Sequence, residues 1–132
     1  MKDFIKLNNN KFETLLAISE EEQNKGLMKV DWPPPIMTFV FAKPQINYFW
    51  MDNTPSPLDV VFCLNKRITD IHRGEPWSKK AFGSSLPSNM VIELPFGTCK
   101  KYKIEPGDSA ELIYSVKGMA DFLQNKYDKK LL

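Results

Sequence analysis

A single histidine, two cysteines and six glycines stand in a chain of 132 residues. His72 with Cys63 and Cys99 makes too small a donor set for a zinc site of the Cys/His type, and two cysteines make no disulfide framework. The glycines form neither a Walker-type phosphate loop nor a dinucleotide fingerprint, and no nucleophile-elbow sequence is present. No run approaches the roughly 18 apolar residues that a membrane-spanning helix needs. The segment Met1–Leu7 lacks the continuous apolar core of a secretory signal. Excess charge is missing as well: 18 Lys plus Arg against 16 Asp plus Glu give a formal net charge of +2. That balance argues against specific nucleic acid and against an anionic membrane as partners. Neither a metal nor a cofactor is expected.

What is present is the composition of a soluble globular protein, 42% hydrophobic and 26% charged, in a length that suits one domain. Ten prolines punctuate it. Residues 1–11 read as a polar lead-in to a complete, soluble chain. A first strand is predicted over Phe12–Ile18. Ser19 and Glu22 then have capping-box spacing, Glu20–Glu22 suit the positive end of a helix dipole, and Gly26 suits its closure, so a helix of about two turns follows. Trp32-Pro33-Pro34-Pro35 is an extended connector, because consecutive prolines supply no ladder donors.

Strand patterns continue at Ile36–Phe41, turned by Lys43-Pro44, and at the aromatic-rich Ile46–Asp52. Leu58–Leu64 is apolar enough to be covered on both faces. Asn65-Lys66 reads as a hairpin loop into Arg67–His72. Further strands are expected at Met90–Leu94 and Ala110–Val116, separated by a type II turn at Pro106-Gly107. The interval Arg73–Pro87 has no period and reads as a long loop. Beyond Lys117-Gly118 the period becomes helical: Met119, Phe122, Leu123, Tyr127 and Leu131 share one face. That face docks either on its own domain or on a neighbouring chain. The pattern as a whole predicts a mainly β fold, a small closed or nearly closed antiparallel barrel or sandwich. One short helix lies in its N-terminal half and another at its C-terminus.

Few residues stand out chemically. In the segment from Phe49 to Thr54, alternation would put Phe49 and Met51 on one face and Tyr48, Trp50 and Asp52 on the other. Trp50 is then either core packing or a stacking platform for a flat or sugar-like ligand, with Asp52 and Asn53 holding its polar edge and Trp77 contributed by the long loop. Asp52, Asp59, Glu93 and Asp108 are the carboxylates available for acid–base work or a hard cation. Asp59 and Asp108, beside a strand start and a turn, are equally suited to backbone hydrogen bonds. His72 could serve as a base for Ser78, Ser84, Ser85 or Ser88, but its place at a strand end fits a partly exposed histidine better. Cys63 and Cys99 read as buried thiols, with Lys100 and Lys101 able to lower the Cys99 pKa should they approach it; a disulfide between the two is left open.

The ordered set Gly26-Leu27-Met28, Phe49-Trp50-Met51-Asp52-Asn53-Thr54 and Pro57-Leu58-Asp59 resembles the signature of the domain of unknown function 192 family. Ile71-His72-Arg73, Val91-Ile92-Glu93-Leu94-Pro95 and Ile104-Glu105-Pro106-Gly107-Asp108 are similar to its downstream pattern. The resemblance runs from about Thr14 to Val116 and implies a small barrel-like domain over residues 12–117, with residues 118–132 as a helical addition. It makes Gly26, Met28, Trp50, Met51, Asn53, Thr54, Pro57, Asp59, Gly107 and Asp108 motif residues of the scaffold, and it implies no reaction.

With no catalytic set in view, the leading expectation is a non-enzymatic binding or assembly module, cytoplasmic or virion-associated, since the family also occurs in phage. Its protein partner or second copy would be engaged through Met119, Phe122, Leu123 and Tyr127. The alternatives are a small-molecule or carbohydrate-binding protein using Trp50 and Trp77, and a hydrolase using carboxylates or His72.

Overall fold

The computed structural model describes residues 1–131, with side chains through Lys129. Its elements, in chain order, are β1 (Asp3–Leu7), β2 (Asn10–Ala17), α1 (Glu20–Lys25), β3 (Met37–Gln45), β4 (Tyr48–Phe49) and β5 (Leu58–Leu64). There follow β6 (Arg67–Gly74), β7 (Phe82–Gly83), β8 (Ser88–Pro95), α2 (Thr98–Tyr102), β9 (Ala110–Ile113) and α3 (Val116–Leu131). Strand at 42% against 19% helix makes the class mainly β. Seven strands form one curled sheet in the order β6-β5-β8-β3-β2-β1-β9, while β4 and β7 pair separately.

The sheet is a half-barrel rather than a closed one. Its edges, β6 and β9, meet at one end only, through an isolated bridge between Arg67 and Ser109 and single backbone bonds such as Ile68 N–H to Asp108 O (2.9 Å). Nor is it purely antiparallel: β2 runs parallel to β3. Parallel neighbours need a crossover, and α1 with the proline-rich connector supplies it.

Both faces of the sheet are covered. Ile5, Leu7, Val61, Cys63, Ile92 and Leu94 belong to one core cluster, and Phe39, Leu58, Val60, Phe62 and Val91 to the other. Strand β5 alternates between the two, which is why its sequence is apolar apart from Asp59. Asn65 and Lys66 both take positive φ (49° and 66°), the primed geometry of a two-residue hairpin turn. Gly107 at φ 93°, with Asp108 N–H donating to Glu105 O at 3.1 Å, closes the expected turn before β9.

Several boundaries depart from the sequence reading. Residues 1–11 are no lead-in: β1 pairs with both β2 and β9, and Ile5 and Leu7 are fully buried. Alternate apolar residues among charges gave that strand little contrast with a polar terminus. β3 continues through Lys43-Pro44, because the ladder slips between Val40 and Gln45 and Pro44 stands where no ladder donor is required. Of Ile46–Asp52 only Tyr48–Phe49 forms a strand, paired with β7 inside the long loop. The last strand ends at Ile113, and α3 begins at Val116, its first turn capped by Ser115, whose Oγ accepts from Gly118 N–H at 3.0 Å.

Gly118 decides how α3 sits. It is buried, and a Cβ there would meet the Asp3 carboxylate and lie 3.0 Å from Leu16 Cδ1. This close approach turns Phe122, one helical turn on, toward Tyr114, with ring centroids 5.7 Å apart. Met119, Leu123 and Tyr127 consequently face solvent, at 41%, 55% and 59% exposure. The expected apolar face thus divides, Phe122 toward the domain and the other three outward. The side chain of Leu131 lies outside the described residues.

Gly118→Ala is expected to lower stability by about 1–3 kcal/mol through overpacking, against at most about 1 kcal/mol gained in helix propensity. Urea unfolding checks this, and an unchanged or raised midpoint would contradict the docking geometry. Ser19→Ala should cost about 1 kcal/mol in the same assay, because both halves of the capping box are formed.

Candidate functional site

A cavity of about 210 Å³ opens where α1 ends against the second core cluster. One wall is the turn after α1, Gly26-Leu27-Met28; opposite it run Asn47, Tyr48, Phe49, Trp50 and Thr54; Phe39 and Phe41 of β3 and Glu93 of β8 complete the interior. Leu27, Phe39, Phe41, Asn47, Thr54 and Glu93 are buried, whereas Asn24, Lys25, Tyr48 and Trp50 are exposed at the rim.

Local sequence sets each wall. The Ser19–Glu22 capping box starts α1, and the Gln23 side-chain amide donates to the carbonyls of Ala17, Ile18 and Val40 (3.1, 3.3 and 3.0 Å), pinning the helix to β2 and β3. Gly26 ends the helix at φ 50°, ψ −129°, a conformation a side chain resists. Lys29 N–H donates to Asn53 O at 2.6 Å, joining the post-helical turn to the tight Met51–Thr54 turn, where Asn53 has φ 53°. The Asn47 side-chain amide donates to Ser88 Oγ at 2.7 Å and holds the far wall onto β8.

Glu93 is the unusual member. It is 4% exposed, its Oε1 has no hydrogen-bond partner, and burial alone pushes its carboxyl from 4.5 up to about 8. The neighbours directly opposite on the adjacent strands, Met37 and Val60, are apolar.

The other candidates are dispersed. Asp59 Oδ2 accepts from the N–H groups of Gly97 and Cys99 (3.1 and 3.0 Å), capping α2, and Asp108 Oδ2 accepts from Glu105 N–H at 2.8 Å. Asp52 and Asn53 belong to the turn behind Trp50 and do not line the cavity, and neither does Trp77, which is exposed elsewhere on the surface. Trp50 itself is 49% exposed and lines the cavity, so core packing is not its place. Alternation fails around it because β4 is only two residues long. Tyr48, Phe49 and Trp50 all border the cavity while Met51 is buried, its Sδ 2.6 Å from where a Cβ of Gly74 would stand.

His72 pairs with Asp70 (Nε2 to Oδ2, 2.6 Å) and its ring lies between Phe62 and Phe82. Burial alone would raise the Asp70 carboxyl, but hydrogen bonds from Thr69, His72 and Ser84 outweigh it and hold the group below its usual value. Ser84 Oγ accepts from Leu86 N–H, and Ser88 is engaged by Asn47, so neither is arranged as a nucleophile for His72. Cys63 and Cys99 are free and buried; burial and the nearby Asp59 push Cys99 up to about 12, opposite to any lowering by its lysine neighbours. Among the described residues no group of three or more His, Cys, Asp or Glu could hold a metal, and no helix is long and apolar enough to cross a membrane.

Sequence reasoning found Trp50 and weighed Glu93 only as one carboxylate of four. It missed Gln23, Phe39, Phe41 and Asn47 as parts of a site. The available signal was Glu93 itself, a lone charge inside the apolar strand Val91–Leu94.

A half-barrel with a buried acid on the sheet face of its second core cluster defines the class, and similarity to known proteins gives the family. The profile of DUF192, described as Uncharacterized ACR, COG1430, matches residues 4–112. The chain belongs to the DUF192 family. It is similar to the crystal structure of a protein from Sinorhizobium meliloti 1021, provisionally described as a transcription regulator. There the TM-score is 0.77 at 30% identity, covering 84% of this chain and 93% of that one. A protein of unknown function from Novosphingobium aromaticivorans DSM 12444 gives a TM-score of 0.74 at 28% identity, covering 84% of each chain. Among curated proteins none matches.

Because the folded state raises the Glu93 pKa, the folded chain keeps a proton that the unfolded chain has released between pH 4.5 and about 8. Its contribution to stability is therefore complete below pH 4.5 and is lost as the pH rises through that window, by an amount on the order of a few kcal/mol. Glu93→Gln should remove this decline: thermal unfolding from pH 5 to 8 should fall more steeply with pH for the wild type than for the variant. Parallel curves would contradict a raised pKa.

Proposed function

We propose that this domain is a non-enzymatic small-molecule binding module whose site is the Gly26–Trp50–Glu93 cavity. One observation carries the reading. Segments far apart in sequence, Gly26-Leu27-Met28, Phe49-Trp50 with Thr54, and Glu93, meet around a single cavity that combines aromatic and polar walls with an unsatisfied carboxyl oxygen. Ligand sites share two of these features, aromatic side chains with convergent polar groups and a perturbed pKa. The volume exceeds the roughly 150 Å³ that accommodates a benzene ring, so a ligand of that size or slightly larger fits. A role in binding rather than hydrolysis is further supported by Asp59 and Asp108, whose carboxylates are occupied by backbone donors.

An assembly role is favoured by a separate observation, the exposed apolar row Val116, Met119, Leu123 and Tyr127 on α3. Under that reading Leu123→Glu should convert an oligomer into a monomer in light-scattering chromatography. A wild type that is itself monomeric at high concentration would contradict it.

For the leading reading, a fragment screen followed by amide chemical shifts should place hits at residues 23–28 and 47–54. Trp50→Ala should weaken them by about 1 kcal/mol or more without unfolding the protein. Hits that map elsewhere, or that are indifferent to Trp50, would overturn it.

A further inference from the structure

We infer that the cavity takes a small organic ammonium ion, its N–H donors directed at Glu93 and its carbon skeleton lying among the aromatic side chains. This rests on the reading of the cavity as a binding site and specifies the class of ligand.

Hydrogen-bond roles left open in the cavity set the polarity of what fits. The donors inside are occupied, the Gln23 amide by three carbonyls, the Asn47 amide by Ser88 and Gln45, and the Thr54 hydroxyl by Asp52 O at 3.0 Å, while those of Asn24, Tyr48 and Trp50 stand at the exposed rim. Lys25, the one cation in the lining, stands at the exposed rim. What remains inside is an acceptor, Glu93 Oε1, buried and unpartnered. It lies 3.6 Å from the point a Cβ on Gly26 would occupy, and the Gln23 carbonyl oxygen lies 3.9 Å from the same point. The space where a side chain of residue 26 would stand is thus bordered by the Phe39 ring, with Cζ at 3.4 Å, and by the two acceptors.

A ligand group in that space must bring donors. An alcohol could satisfy one oxygen, but two features favour a positive charge. A carboxylate can be held ionised in a buried site only by pairing, and charge-assisted hydrogen bonds are roughly twice as strong as neutral ones. Phe39, Phe41, Phe49 and Trp50 surround the site with aromatic rings, whose faces attract cations.

Binding of a cation requires the ionised form of Glu93 and so releases its proton. The other titratable groups bordering the cavity are Lys25 on α1 and Tyr48 on β4. On the same face of the sheet His72, with its partner Asp70, lies one strand beyond Val60. None of these is among the causes of the Glu93 shift, which is burial alone.

Benzylammonium and its neutral isostere benzyl alcohol, titrated by calorimetry into wild type and Glu93→Gln from about pH 6 to about pH 8, test this. The wild type should bind benzylammonium about tenfold or more tightly than the alcohol. Its affinity should rise with pH by up to about tenfold per unit, with close to one proton released near neutrality. Glu93→Gln should lose about tenfold for benzylammonium, together with the pH dependence, yet keep its affinity for the alcohol. Equal affinities in the wild type, or a variant that binds benzylammonium unchanged, would overturn the cation assignment; if the alcohol still maps to the cavity by amide shifts, the binding site itself stands. Binding of neither probe at millimolar concentration, with no other fragment mapping to the cavity, would remove both.

Discussion

Strand β8 lies between β5 and β3, inside the sheet, and it carries a carboxyl on a face otherwise given to Phe39, Phe62 and Val91. A buried polar group with no partner costs about 1–3 kcal/mol, and an apolar residue of similar shape would fill that position more stably. Among the described residues no protein group pairs with Oε1. The surroundings therefore favour the protonated acid, and the walls of the cavity meet beside it.

Sheet order explains how the walls reach it. The parallel pairing of β2 with β3 forces a crossover, and the crossover lays α1 and its closing turn over β3, beside Glu93. After the slipped register the ladder with β8 ends at Gln45 opposite Ser88, and Asn47–Trp50 then cross the opening before β5 begins. Met51, seated against Gly74, and the Lys29–Asn53 bond fix the two walls relative to each other. Elsewhere in the sheet Asp59 caps α2 and Thr14 pairs with Thr38 at 2.8 Å, and the other buried side-chain polar atom without a partner among the described residues, Asn125 Nδ2, lies on α3. Against that background the isolation of Glu93 is specific to its place.

Much of the fold was legible because local chemistry and tertiary structure agree there. The Ser19 capping box, the Asn65-Lys66 hairpin, the doubly covered β5 and the Gly107 turn each have a local cause that survives in the folded chain. Openness of the barrel was not legible, since closure depends on whether β6 and β9 extend a ladder, which neither strand's own pattern specifies. β1 was lost because its two buried residues, Ile5 and Leu7, are separated by a lysine and followed by three asparagines. At the site, Trp50 was visible as an aromatic in an ordered motif, but its partners Gln23, Phe39 and Asn47 are ordinary strand and helix residues until the crossover brings them together. Glu93 was visible yet undistinguished, because its meaning lies in what fails to touch it.

The most direct measurement is the Glu93 side-chain carboxyl titration in the free protein, followed by carbon-13 NMR with the Glu93→Gln variant to assign the signal. A midpoint near pH 8 is expected for a buried acid without a partner. A midpoint in the ordinary carboxylate range would mean that the group is solvated or paired, and the account of the cavity would be wrong.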